Sequence, residues 1–172
     1  RLAGAVRSEH GDHRSLRNLD RDAAERLHGA VTGFDVAELE KRVRSEKADL
    51  GIAFDGDADR AGFIDEKGGI ITKDLATALM ATDILSREKG PVVYDLRSSR
   101  ALPEEITRHG GKPVRGRVGH SFMKNAMREH GCVFGGEVSG HYYFRDNFNT
   151  ESSSLAVVAM CNIVSRAKGG VS

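Results

Sequence analysis

Cysteine is scarce in this chain, with only Cys132 and Cys161 among 172 residues. Both sit in apolar surroundings, which favours two buried thiols in a reducing compartment over a disulfide and makes the cytoplasm the expected location. Long hydrophobic runs are missing too. Apolar stretches such as residues 155–161 stop far short of the roughly 20 residues that a membrane span needs. Nor does charge of one sign dominate, since 26 Lys plus Arg meet 25 Asp plus Glu for a formal net charge of +1. The basic residues are scattered rather than striped, so no nucleic-acid footprint is expected. No N-terminal signal pattern is visible, because residues 1–27 are charged throughout. The chain begins at Arg1 rather than Met, as a fragment or a processed product would.

What is present suits one mid-sized domain or two small ones, at 39% apolar and 30% charged residues. Residues 1–33 show no clean period beyond a brief helical possibility at 23–27, and are expected to be poorly ordered or to depend on further chain. Order begins at Asp35, where Asp35 and Glu38 have capping-box spacing and Val36, Leu39 and Val43 recur at helical intervals up to about residue 47. A short apolar strand at 50–54 and a strand, turn and strand over 62–72 follow. Helices are then expected at 74–87, 102–109, 121–129 and 152–166, with strands at 91–95, 112–115, 132–136 and 141–144. Strands separated by helices of this length predict α/β architecture on mixed, largely parallel sheets. The change from hairpin to alternation places a boundary near Gly69, with one unit at 1–69 and a second at 70–172.

The stretch FDGDADR, residues 54–60, places Asp55, Asp57 and Asp59 at alternate positions after the apolar strand, with Arg60 beside them. In a straight strand these carboxylates would point to opposite faces, but Gly56 and Ala58 are small enough to let the backbone curl into a loop. In a loop all three can converge on one hard cation as oxygen ligands, Mg²⁺ or Ca²⁺. Without a cation they would repel one another and raise their own pKa values. Three readings of the residues compete. An EF-hand loop would use Glu66 as its twelfth position, although Arg60 stands where the sharp-turn Gly belongs. A haloacid-dehalogenase-like phosphatase would make Asp55 a nucleophile and Asp57 an acid/base. The third is a solvated acidic loop at a strand end.

Further motifs carry a family resemblance. AFDGDADR resembles the metal-binding loop of the α-D-phosphohexomutases, and GEVSGHYYFRDNF, residues 136–148, resembles their sugar-recognition loop. Between them, YDLRSSR at 94–100 and RVGHSFMK at 117–124 are similar to that family in order and spacing. The GEVSGH stretch is similar to the GEMSGH loop of its phosphomannomutase/phosphoglucomutase branch. The resemblance implies two tandem α/β domains, the end of the second and most or all of the third of a four-domain enzyme. That enzyme interconverts hexose 1-phosphate and 6-phosphate, of mannose or glucose, through a hexose 1,6-bisphosphate and an active-site phosphoserine.

The residue roles that follow are what the resemblance implies. Asp55, Asp57 and Asp59 hold Mg²⁺, and Arg60 hydrogen-bonds phosphate oxygens, its competing role being an internal salt bridge to the same aspartates. Glu137 and Ser139 read sugar hydroxyls. His120 and His141 lie near the phosphosugar as hydroxyl or proton partners. Arg97 and Lys124 contact the phosphosugar, their alternative being helix-end charges. Gly135, Gly136 and Gly140 allow close backbone approach. The departures are equally specific. The phosphoserine loop of the first domain and the phosphate loop of the fourth are absent, and none of Ser98, Ser99, Ser121 and Ser139 has the context of that phosphoserine. Glu151-Ser152-Ser153-Ser154 also replaces the Asp-Gly or Ser-Gly common before the last helix. The chain alone is therefore expected not to turn over, and a stand-alone module that binds metal or sugar phosphate is the other function it could have.

Overall fold

A computed structural model describes residues 2–3, 36–167 and 170–171. The expectations for the remainder of residues 1–33, including a helix at 23–27, and for the Asp35 cap lie outside the described residues. Leu2–Ala3 is a strand, β1, paired in parallel with β2, Leu50–Phe54. Helix α1, Val36–Glu46, packs Val43 against Ala48 and Ile64, and Lys47 ends it in the left-handed region at φ 49°.

β2 runs antiparallel to β3, Ala61–Ile64, and β3 to β4, Ile70–Ile71. The first sheet has the order β1-β2-β3-β4. Thr72, expected as the last residue of a strand, instead caps α2, Lys73–Arg87, its hydroxyl accepting from the Leu75 amide at 3.3 Å. The remaining elements are β5 (Pro91–Asp95), α3 (Ala101–Arg108), β6 (Lys112–Gly116), α4 (His120–His130), β7 (Phe134–Gly136), β8 (Tyr142–Phe144), β9 (Thr150–Glu151) and α5 (Ser153–Arg166). A short 3₁₀ turn, Arg145–Asn147, precedes β9.

The second sheet has the order β6-β5-β7-β8-β9. β6, β5 and β7 are parallel, joined through α3 and α4, whereas β7-β8-β9 is antiparallel. Both sheets are thus mixed, and the parallel share is smaller than the alternation of helix and strand implies. The reason is connection length: the links around 137–141 and 145–149 are too short for a parallel crossover. Ser152 supplies the start that α5 needs without the Asp-Gly pair, its Oγ accepting from the Leu155 amide at 3.2 Å.

α5 packs against strands of both sheets, and α2 packs against α5 and β7. Ala76, Met80, Ala81 and Leu85 of α2 and Ala156 and Met160 of α5 share one buried cluster with Leu50, Ile52, Phe63, Phe134 and Tyr142. Fully burying each large apolar side chain contributes about 1.5–3 kcal/mol. Contact between α2 and β7 is especially close at Gly136, where a Cβ would run into the Thr77 hydroxyl. This packing brings the end of β2 next to the loop between β7 and β8.

Candidate active site

The FDGDADR loop links β2 to β3. Ala58, at φ 59°, turns it, with the Ala58 amide donating to the Asp55 carbonyl at 3.1 Å. The Ser153 hydroxyl, on the first residue of α5, donates to the Ala58 carbonyl at 2.6 Å and pins the turn from outside. Curled this way, the loop brings one carboxylate oxygen each from Asp55, Asp57 and Asp59 within 4.8 Å of one another. Three hard oxygen donors at such separations are a set that could hold a divalent cation.

Arg60 is drawn into the same cluster. Its Nε donates to Asp55 Oδ2 at 2.5 Å and its amide to Asp55 Oδ1 at 3.2 Å, while Asp59 Oδ1 lies 3.7 Å away. The internal salt bridge is therefore present, and the Arg60 side chain is still 40% exposed. Burial pushes the Asp55 carboxyl up, but the Arg60 amide and guanidinium outweigh it and hold the group below its ordinary value. The Asp55 side chain is only 4% exposed. A nucleophile must reach its substrate, so this burial and pairing do not favour the phosphatase reading. The EF-hand reading fails on its frame: strands rather than helices flank the loop, and Glu66 Oε2 accepts from the Val171 amide.

The loop between β7 and β8 approaches from the other sheet. The Ala61 amide donates to the Gly140 carbonyl at 3.1 Å. Gly140 has φ +99°, and a Cβ there would lie 3.2 Å from the Ala61 carbonyl, so both the turn and the approach favour glycine. His141 Nε2 stands 3.2 Å from Asp59 Oδ2, and His141 Nδ1 is 2.8 Å from Ser139 Oγ. The His120 and His141 rings meet edge-on with centroids 4.2 Å apart. The structure thus gathers Asp55, Asp57, Asp59, Arg60, Ser139, His120 and His141 at one place.

Glu137 is buried beside His141 rather than exposed, its Oε2 3.4 Å from His141 Nδ1. Its side chain is 1% exposed, Oε2 accepts from the Tyr143 hydroxyl at 2.6 Å, and Oε1 accepts from the Gly119 amide at 3.0 Å. Burial alone would raise its pKa, but hydrogen bonds from His141, Tyr143 and Gly119 bring it down to about 2. Glu137 thereby joins the sugar-like loop to the start of α4.

Arg97 and Lys124 each pair with a carboxylate that the motifs do not single out. Asp95, fully buried at the end of β5, accepts from the Arg97 amide at 2.7 Å, from Arg97 Nη2 at 2.8 Å and from the Val138 amide at 2.9 Å. Glu151 on β9 accepts from Lys124 Nζ at 3.0 Å and from His120 Nδ1 at 2.9 Å through the same oxygen. Burial raises the Glu151 carboxyl, yet Lys124 and His120 overcome it and set the pKa at about 2. Lys73, the first residue of α2, is the third addition: its Cε would be 3.3 Å from a Cβ at Gly140, next to Arg60. Desolvation and the Arg60 charge lower its pKa. A strand-end Asp after an apolar run was a usable signal for Asp95, whereas nothing local marks Glu151 or Lys73.

These loops sit at the carboxyl ends of the parallel strands, the usual ligand side of an α/β sheet. Residues 72–172 match the model described as phosphoglucomutase/phosphomannomutase, alpha/beta/alpha domain III, and residues 34–69 match domain II of the same series. The chain belongs to the phosphoglucomutase/phosphomannomutase family. It is 40% identical over 121 residues to a phosphomannomutase of Methanocaldococcus jannaschii, covering 70% of this chain and 27% of that protein. It is 37% identical over 134 residues to a phosphomannomutase/phosphoglucomutase of Pseudomonas aeruginosa, covering 77% of this chain and 29% of the relative. Among solved structures, a phosphoglucomutase/phosphomannomutase family protein from Burkholderia thailandensis superposes with a TM-score of 0.69 at 33% identity, over 77% of this chain and 30% of that one. The chain therefore spans under a third of the length of these family members.

Proposed function

We propose that this chain is the metal- and sugar-binding part of a phosphohexomutase, an isomerase that interconverts hexose 1-phosphate and 6-phosphate, of mannose or glucose, through a bisphosphorylated sugar. In this reading it divides near Gly69 into the end of one domain and the whole of the next, as the two sheets and the two matched domain models support. Domains bearing the donor phosphoserine and a further phosphate loop complete the parent enzyme, and its location is the cytoplasm. The observation that carries the reading is the meeting of two loops across the sheets, at Ala61 with Gly140 and at Asp59 with His141. A cation cluster and a hydroxyl-bearing loop within one hydrogen bond of each other suit a phosphorylated sugar.

Asp55, Asp57 and Asp59 would hold Mg²⁺, which supplies charge neutralisation beside a transferring phosphoryl group. Arg60 and Lys73 add fixed positive charge on the same side, and the exposed Arg60 fork hydrogen-bonds phosphate oxygens. Ser139 presents a hydroxyl that donates to or accepts from sugar hydroxyls. His120 and His141, each backed by an oxygen at Nδ1, are placed to take or return a proton at Nε2. Arg97 and Lys124 lie where an anionic substrate draws them from Asp95 and Glu151. Glu137 reaches a sugar hydroxyl only by turning outward from Tyr143.

Calorimetric titration of Mg²⁺ tests the metal assignment. Asp57→Asn, at an exposed carboxylate, is expected to weaken binding by about tenfold or more, and unchanged binding would sink it. For the sugar side, hexose-phosphate binding should weaken in Ser139→Ala. Equal affinity in that variant counts against the hydroxyl role.

A further inference from the structure

Asp59 belongs to two donor groups at once. Besides its place with Asp55 and Asp57, one of its oxygens lies within 4.8 Å of a ring nitrogen of His120 and one of His141, themselves equally close. The two groups differ in chemistry. Mg²⁺ takes oxygen and keeps its waters, whereas imidazole nitrogen suits zinc-like transition ions. We propose that Asp59, His120 and His141 form a second cation site, selective for zinc-like ions over Mg²⁺.

Its surroundings are those of a built site. His120 Nδ1 is held at 2.9 Å by Glu151, and His141 Nδ1 at 2.8 Å by Ser139 with Glu137 Oε2 3.4 Å away, so Nε2 is the nitrogen of each ring left for an ion, that of His141 already facing Asp59 Oδ2. An oxygen partner behind Nδ1 is how metal-ligating histidines are oriented and made more basic. The spacing agrees as well. Two ligands about 2.0–2.1 Å from a tetrahedral zinc stand about 3.3 Å apart, and His141 Nε2 is 3.2 Å from Asp59 Oδ2. The side chains of His120 and Asp59 are 42% and 34% exposed, so an ion reaches the site from solvent, and three protein ligands leave a fourth position for water. An ion here ties up the two imidazoles assigned above to the phosphosugar, so that zinc and hexose phosphate exclude each other. That consequence rests on the proposed function, while the binding itself does not.

Co²⁺ titrated into the full chain, read by visible absorption, is the probe. Asp57→Asn is the background, because it weakens the all-oxygen group and leaves the second group whole. In that variant Co²⁺ is expected to bind with the intense bands of a low-coordinate ion, to be displaced by Zn²⁺, and to withstand a large excess of Mg²⁺. His120→Gln, at a half-exposed side chain, is expected to weaken Co²⁺ binding by about tenfold or more. Circular dichroism of both variants confirms the unchanged fold. Equal Co²⁺ affinity in His120→Gln overturns the proposal, and so does displacement by Mg²⁺. Binding lost in Asp57→Asn but kept in His120→Gln also overturns it, and leaves the Mg²⁺ assignment standing.

Discussion

Glu151 holds two side chains with one carboxylate, Lys124 and His120, and so decides which nitrogen of His120 carries the proton. As the acceptor at Nδ1, it favours the Nδ1–H form and leaves Nε2 facing away. Glu151→Gln is expected to move His120 toward the other tautomer at neutral pH, read from imidazole ¹⁵N shifts, because the amide lacks the charge that selects it. An unchanged tautomer population would show that another group orients the ring. A different residue contributes to the alkaline limb of stability. Burial pushes the Cys132 thiol from 9.0 up to about 11. The unfolded chain gives up this proton near pH 9, the folded chain only near 11, so the contribution is full below pH 9 and is lost as pH rises between those values. At about 1.4 kcal/mol per pKa unit the loss is on the order of 3 kcal/mol. Cys132→Ala should flatten that part of the pH profile in urea unfolding, and a slope equal to wild type would refute the cause.

Elements with their own apolar period were legible from the residues: α2 from Leu75, Leu79 and Leu85, β2 from its apolar run, α5 from the stretch after Ser152. β9 was not, because two residues have no period and exist only through pairing with Tyr143 and Phe144. The cost of missing β9 was Glu151, which reaches His120 across 31 positions of sequence. Asp95 could be noticed as a strand-end carboxylate, but its link to Val138, which spans 43 positions, could not. The loops themselves were readable as motifs, yet which side chains they keep for themselves was not: Glu137 is buried because Tyr143 and Gly119 satisfy it there. The α2–β7 contact is the sharpest of these packing constraints. Gly136→Ala should cost about 1–3 kcal/mol by overpacking, measured by chemical denaturation. Adding Thr77→Ala should recover part of that loss, and failure to recover any would place the strain elsewhere.

On the scale of the whole molecule, α2 and α5 tie the two sheets into one buried cluster. That cluster runs on across the proposed boundary near Gly69, with buried members on either side of it. Met160, fully buried on α5, belongs to that cluster. Met160→Ala should cost about 2–5 kcal/mol and lower hydrogen-exchange protection of β3 and β7 together. Loss confined to one sheet would mean that the halves unfold independently.

The Ala61–Gly140 backbone bond, with Ser153 clamping Ala58 from behind, makes the position of one loop a function of the other. If the two loops bind cation and sugar phosphate as proposed, joining them in this way links the two binding equilibria. Whatever factor a sugar phosphate contributes to cation affinity, the cation must return to sugar-phosphate affinity. The Ala61–Gly140 contact is main chain on both sides, so this part of the coupling survives most side-chain substitutions in either loop. Gly140 is the exception, since any side chain there pries the seam open.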